Sequence, residues 1–425
     1  MEFGNVGNSY VSHSFFQMLR RHLPHTRIVT TLQFSDEFLS IYQLEHTAMD
    51  VFIDDASNAE MELLEAKRRA GLTNHLEIKE AIFTSKYLDL LDTVDTVLDL
   101  SGDIWGDNAL FLSDSRLHVA LLKMQTAQIL GKKTALVASS PGPFDCLTPK
   151  DLSLARNVYA SFDLVLNREA QSFDVLKKSG FDVTRTKSLA CPSVLFQGSD
   201  QPLSPKDWSQ KTKPEIGMSI CGWNFLGGPF NKEPRKMQEF KPFVEMIKIM
   251  LATTEADIVF FSHSNGFSRE GEKVQHKPGR DFILLKQLFE QLVSMGLTSR
   301  VRLSEEFRTV REIHKFIGGL DMLVAGRAHA AVAALSQGVP TILIDYGHGP
   351  VAHKTRGFLE LYGQENCLVE PSNLRQFEKV LRKSWASLEL VSERLLNQHE
   401  SVLSLVEEMG NSILDLTHVD HGNLK

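Results

Sequence analysis

The sequence predicts an α/β protein of two Rossmann-like domains facing each other across a cleft, with a long helical segment at the C-terminus. Three observations carry that prediction. Short apolar, β-rich runs alternate with amphipathic helical stretches through most of the chain, the pattern of βα units around buried parallel strands. A polar stretch with three prolines, QGSDQPLSPKDWSQKTKP, interrupts the alternation at 197–214, after which it resumes. The length, 425 residues, is enough for at least two domains at about 150 residues each.

In the first half, strands are expected at 27–32, 94–100, 134–139 and 164–167, with helices at 12–23 and 117–130. Gly131 stands where a helix C-cap is needed. In the second half, strands are expected at 215–221, 257–262, 301–303, 322–325 and 341–344. Helices at 240–252, 282–295, 310–318 and 330–337 alternate with them. The polar-faced periodicity over 374–416 predicts one long terminal helix. The domains are therefore expected at 1–196 and 215–373, joined by the 197–214 linker and followed by a helical segment and tail at 374–425.

Composition narrows the function. Hydrophobic residues make up 42% and charged residues 23%, so the chain has enough apolar content to fold a core. The formal net charge of −7 argues against a sequence-nonspecific nucleic-acid binder, which needs a basic stripe. Cys146, Cys191, Cys221 and Cys367 are scattered without a CxxC pair, which speaks against a disulfide framework or zinc ribbon and for a reducing, cytoplasmic setting. The N-terminus lacks the basic and apolar regions of a signal peptide, and no integral membrane segment is seen. A longer parent chain with an upstream anchor would instead work at a membrane or in a secretory compartment. No metal is expected, because HExxH and its relatives are missing.

Chemistry-bearing residues gather where strands end, which is where parallel sheets bind ligands. Gly4, Asn5 and Gly7 form a glycine pair ahead of a helix, suited to close approach of a ligand or to a tight turn. Only three residues precede Gly4, so either the strand expected to lead into this loop is absent or the chain begins inside a longer parent sequence. After the 94–100 strand come Gly102, Asp103 and Asp107, carboxylates suited to orienting sugar hydroxyls or to capping a helix. The Pro-Gly-Pro of 141–143 stiffens the next strand end. Arg168 follows a fourth strand and suits a carboxylate or phosphate, or a salt bridge with Glu169. His263 leaves the 257–262 strand.

Gly326-Arg327-Ala328-His329 is the most informative segment. A glycine permits a tight strand-to-helix turn, and a fixed cation and an imidazole then stand at the start of a small-residue helix. That set suits a phosphate or carboxylate. Lys354, in the HKTRGF stretch beyond the next strand, adds positive charge.

These segments, in this order, resemble the polysaccharide pyruvyl transferase family. GNVGN is similar to its N-terminal glycine loop, with Asn8 in place of an acid. DTVLDLSGDIWGDN, SSPGPF and FDLVLNREAQSFDVLKKSGF are similar to its successive strand-end motifs. GRAHAAVAALSQGVP with the downstream Tyr346 and Lys354 resembles its most specific block. A further departure falls at Cys191-Pro192-Ser193, where the family carries an acid. The resemblance spans roughly residues 3–360 and implies a glycosyltransferase-B-like fold. It also implies pyruvyl transfer from phosphoenolpyruvate to a sugar of a cell-surface glycan or exopolysaccharide precursor, forming a ketal. In that scheme His329 is the general acid, with Asp103 or His263 as acceptor base. The resemblance makes 215–373 the donor side and 1–196 the acceptor side; Arg327, Lys354, Arg168 and His263 bind the donor, and no cofactor beyond the co-substrate is needed. The alternatives are a glycosyltransferase using a nucleotide sugar and a non-catalytic glycan-binding relative.

Overall fold

The computed structural model describes residues 4–47, 55–72, 85–198, 213–232, 234–270, 273–306, 308–348 and 353–418. The chain divides into two compact units. One combines Met1–Gln17 with Cys191–Val406, and the other combines Met18–Ala190 with Glu407–Lys425.

The second of these carries β1 (Ile28–Thr30), β2 (Leu44–His46), β3 (Thr96–Asp99), β4 (Lys133–Ser139), β5 (Leu164–Asn167) and β6 (Thr186–Ser188). Strands β3 to β6 form a parallel sheet in chain order. β1 departs from expectation: it is shorter than 27–32 and pairs, parallel, with β2 alone. Around the main sheet pack Trp105, Leu121, Leu136, Phe162 and Phe181. Helices Ala56–Arg69 and Arg116–Ile129 share a buried ion pair, Lys123 with Glu62, and Ser85 also donates to Glu62. These charges are tolerated inside because each is paired and hydrogen-bonded.

The other unit holds β7 (Glu215–Ser219), β8 (Asp257–Phe260), β9 (Gly266–Glu270), β10 (Lys273–Lys277), β11 (Val301–Leu303), β12 (Met322–Ala325), β13 (Thr341–Ile344) and β14 (Leu368–Val369). Its parallel sheet runs β11-β8-β7-β12-β13-β14. The unit's first strand is therefore central and the winding reverses between β7 and β12, the doubly wound order that opens a ligand crevice beyond those strand ends. The sheet is covered by Phe243, Ile247, Leu285 and Leu288 from two helices, Lys241–Thr253 and Asp281–Ser294. The antiparallel β9–β10 hairpin was not legible as alternating structure.

Two sequence-based boundaries need correction. Residues 4–17 belong with the C-terminal half, because the chain start is stitched to the end of β8. Asn5 bridges Ser264, the Val6 amide donates to the His263 carbonyl at 3.2 Å, and the Asn265 amide donates to the Gly4 carbonyl at 2.8 Å. The terminal helical segment is two helices, Leu374–Trp385 and Leu388–Thr417, and Phe377, Leu381, Trp385 and Leu388 pack into the same core as β7 to β14. The expected linker falls mostly outside the described residues. No described helix is long and apolar enough to cross a membrane.

This packing buries imidazoles that stay neutral. Burial holds His314 and His399 down to about 4. Burial, with the Arg311 charge, holds His13 down to about 4. Burial, then Arg327 and His314, lower His263 to about 3. Below about pH 6.5 the unfolded chain binds these protons and the folded chain does not, so stability falls with pH down to the folded-state values. Thermal unfolding at pH 7.5 and pH 5 checks this: a lower Tm at pH 5 is expected, with part of the difference removed in His399→Gln.

Candidate active site

The site in the β7–β14 unit is built at the reversal point of the sheet. The chain leaves β12 at Gly326, whose amide donates to the Ser219 carbonyl at 2.7 Å. A Cβ on Gly326 would lie 2.2 Å from Asn224 Oδ1 and 2.8 Å from Ile220 Cα, so only glycine lets β12 end this close to the β7 loop. Arg327 and His329 follow at the start of helix Ala328–Leu335. The alanines of that helix are buried, which seats it closely between its neighbours.

Arg327 is held from one side. Its Nε and Nη2 donate to the two carboxylate oxygens of Asp281 at 2.6 and 2.7 Å. Asp281 is 1% exposed and the Arg327 side chain 20% exposed. Burial disfavours both charges. For Asp281 it lifts the carboxyl, which Arg327 opposes; for Arg327 the carboxylate outweighs burial and secures the cation. Asp281 opens helix Asp281–Ser294 and its amide donates to the Ser264 carbonyl at 3.1 Å. Sequence reading missed Asp281; an acid beside Arg280 after Pro278-Gly279 was its only signal.

His329 is packed by the N-terminal loop. A Cβ on Gly7 would fall 2.6 Å from His329 Cβ and 2.8 Å from its Nδ1. Asn5 Oδ1 accepts from the Gly7 amide at 3.1 Å and so shapes the turn. Gly4, Asn5 and Gly7 thus lie in the same unit as Arg327 and His329. Cys191 Sγ lies 3.7 Å from His329 Nε2 and accepts from Ser193 Oγ at 3.0 Å. The thiol at position 191 is therefore the group that faces the imidazole.

Lys354 stands on helix His353–Glu360, with Nζ 5.8 Å from the Tyr346 ring centre. That helix is tied down where Thr355 Oγ1 donates to Asp345 Oδ1 at 3.0 Å. His263 is corrected as a donor-binding or base residue. It is fully buried, flanked by the Tyr10 ring at 5.6 Å, and neutral, so it offers no charge to a ligand.

The other unit gathers a second set. Arg168, 3% exposed, donates from Nε to Ser140 Oγ at 2.9 Å. Its Nη atoms would lie 3.6 and 3.7 Å from a Cβ on Gly102, where φ is +71°. Asp103 continues the Gly102 turn and is partly exposed. Asp99, also missed, holds this turn: Trp105 Nε1 donates to it at 3.0 Å and the Ser101 amide at 2.8 Å. Asp107 is corrected as a ligand-facing residue, because it is 3% exposed and accepts the Asp145 and Cys146 amides at 2.9 and 3.1 Å. It clamps the 141–146 loop. Among the described residues no group of His, Cys, Asp and Glu could hold a metal ion.

The family model of polysaccharide pyruvyl transferase matches residues 5–348. No curated protein matches the sequence. Among solved structures, the chain is similar to Anabaena HepE (Alr3699) in complex with UDP, at 12% identity over 96% of this chain and 95% of that one, with a TM-score of 0.56. It is similar to a glycosyltransferase from Rickettsia africae ESF-5 at 11% identity over 96% and 95%, with a TM-score of 0.57. The lipopolysaccharide outer core galactosyltransferase WaaB in its apo form matches at 11% identity over 96% of both chains, with a TM-score of 0.52. At these identities the likeness shows the fold, an α/β fold of the glycosyltransferase-B type.

Because the Gly7 Cα lies against His329, Gly7→Ala should displace the imidazole. The expected result is a shift of the His329 ring resonances in a ¹H–¹⁵N spectrum with a Tm change of only a few degrees.

Proposed function

On the premise that the chain belongs to the polysaccharide pyruvyl transferase family and is a transferase, we propose that it moves a pyruvyl group from phosphoenolpyruvate to a sugar of a cell-surface glycan precursor. The observation that carries this reading is the pairing of Arg327, fixed by Asp281, with His329 two residues later at the reversal point of the sheet. Phosphoenolpyruvate presents a phosphate and a carboxylate, and a guanidinium held by a buried carboxylate is already oriented to receive one of them. Lys354 is the candidate for further charge. Arg168 is the candidate anion contact of the other unit, and Asp103 the candidate base for a sugar hydroxyl.

In this scheme His329, as imidazolium, donates a proton to C3 of the enol and makes C2 electrophilic. One sugar hydroxyl adds to C2 and gives up its proton, and the C2–O bond to phosphate breaks. A second hydroxyl adds to C2 and closes the ketal. Of the two hydroxyl protons, one restores His329 and the other leaves with inorganic phosphate. The balance requires no metal and no dinucleotide. We place the reaction in the cytoplasm, which the four free cysteines support.

Phosphate release from phosphoenolpyruvate with a panel of sugar acceptors tests the reading. Acceptor-dependent release is expected, reduced at least a hundredfold in Arg327→Ala and in His329→Ala. Phosphoenolpyruvate at 100 times its Kd should stabilise the protein by about 2.7 kcal/mol. Stabilisation by UDP-glucose in its place would point to a nucleotide-sugar glycosyltransferase. In Cys191→Asp a carboxylate would face the imidazole and favour its charged form, so the alkaline limb of the rate profile should move to higher pH.

A further inference from the structure

We propose that the interior of the β7–β14 unit has a water-binding site between Tyr10, His263 and His314, where ordered water completes the hydrogen bonds of these side chains. The site does not depend on which donor the enzyme uses.

Three elements of one unit meet there: the start of helix Val6–His22, the end of β8 and helix Val310–Gly319. The Tyr10 ring lies 5.6 Å from the His263 ring and 5.3 Å from the His314 ring, centre to centre, in edge-to-face contact with both. All three residues are deeply buried, Tyr10 at 1% exposure, His263 at 0% and His314 at 3%. Yet the Tyr10 hydroxyl, both ring nitrogens of His263 and Nε2 of His314 have no hydrogen-bond partner among the described residues. Ser14, one turn beyond Tyr10 on the same helix face, is also buried and adds a hydroxyl in the same condition. Buried polar side chains are satisfied by protein or by ordered water in the large majority of cases. Several unsatisfied ones gathered around a single ring therefore point to a bound molecule.

The donors and acceptors identify that molecule. The Gly198 amide donates to His314 Nδ1 at 3.1 Å, so the His314 proton sits on Nε2 and that nitrogen is a donor. Both imidazoles are neutral, chiefly through burial, so His263 presents one N–H and one bare nitrogen. The Tyr10 hydroxyl both donates and accepts. An anion would satisfy only the donors of this set, and a cation only the acceptors. Water satisfies both, and rings packed at these distances admit nothing much larger. The position has a consequence for the candidate active site. Gly7, which packs against His329, lies one turn before Tyr10 on the same helix. Water bridging Tyr10 to His263 and His314 thus anchors the helix end that seats His329.

Tyr10→Phe keeps the ring and deletes only the hydroxyl. Where water is bound, the variant loses a buried hydrogen bond, and its Tm should fall by a few degrees. Where the hydroxyl has no partner, its removal relieves a desolvation cost, and an unchanged or higher Tm would overturn the proposal. A crystal structure of the wild type, at a resolution that places waters, supplies a readout that needs no variant. The expected result is an ordered water within hydrogen-bond distance of Tyr10 Oη and of a ring nitrogen of His263 or His314. Direct hydrogen bonds among these side chains, or rings closed on one another with no water between them, would equally overturn it.

Discussion

The bidentate pair between Arg327 and Asp281 fixes the candidate site of the β7–β14 unit. Removing one partner of a buried pair leaves an uncompensated charge, at about 3–5 kcal/mol, so the geometry around it has little freedom. From Asp281 the constraint passes to Ser264 through a backbone hydrogen bond of 3.1 Å. Ser264 is bridged to Asn5, and Asn5 shapes the turn that brings Gly7 against His329. The path thus returns to a residue two positions from where it began. A cation and an imidazole two residues apart are thus oriented by different segments, Arg327 by Asp281 within the same half of the chain and His329 by Gly7 near its start.

The two histidines at strand ends show how burial assigns chemistry. His263 and His329 both follow parallel strands. His263 turns inward against Tyr10 and is held neutral by lost hydration and by the Arg327 charge. His329 is met by a glycine on one side and a thiol on the other. The same residue type therefore serves as core in one place and as candidate acid in the other. The β3–β6 unit follows similar logic, with Asp99 and Asp107 spent on shaping loops so that Gly102, Asp103 and Arg168 come to lie at one end of the sheet.

Where the sequence was legible, a local rule applied. Apolar runs such as MLVA and TILI are strands because their side chains must be buried on both faces of a parallel sheet. Gly326-Arg327-Ala328-His329 stood out because a strand-to-helix turn needs glycine and the small residues after it pack a helix closely. Where it was not legible, partners distant along the chain were in control. Asp281 looks like an ordinary helix-opening acid until Arg327 is set beside it. The first helix, Val6–His22, reads as part of the N-terminal half, yet its start is pinned to the end of β8.

By itself, then, the sequence determined the α/β class, the strand ends that carry polar chemistry, the family, and Arg327 and His329 as residues of interest, because each depends on spacing along the chain. Only the tertiary structure decided which unit the N-terminal loop joins, that Asp107 and His263 face inward, and that Asp281 anchors Arg327. Those outcomes depend on contacts between residues tens to hundreds of positions apart, and burial and charge act through distance in space.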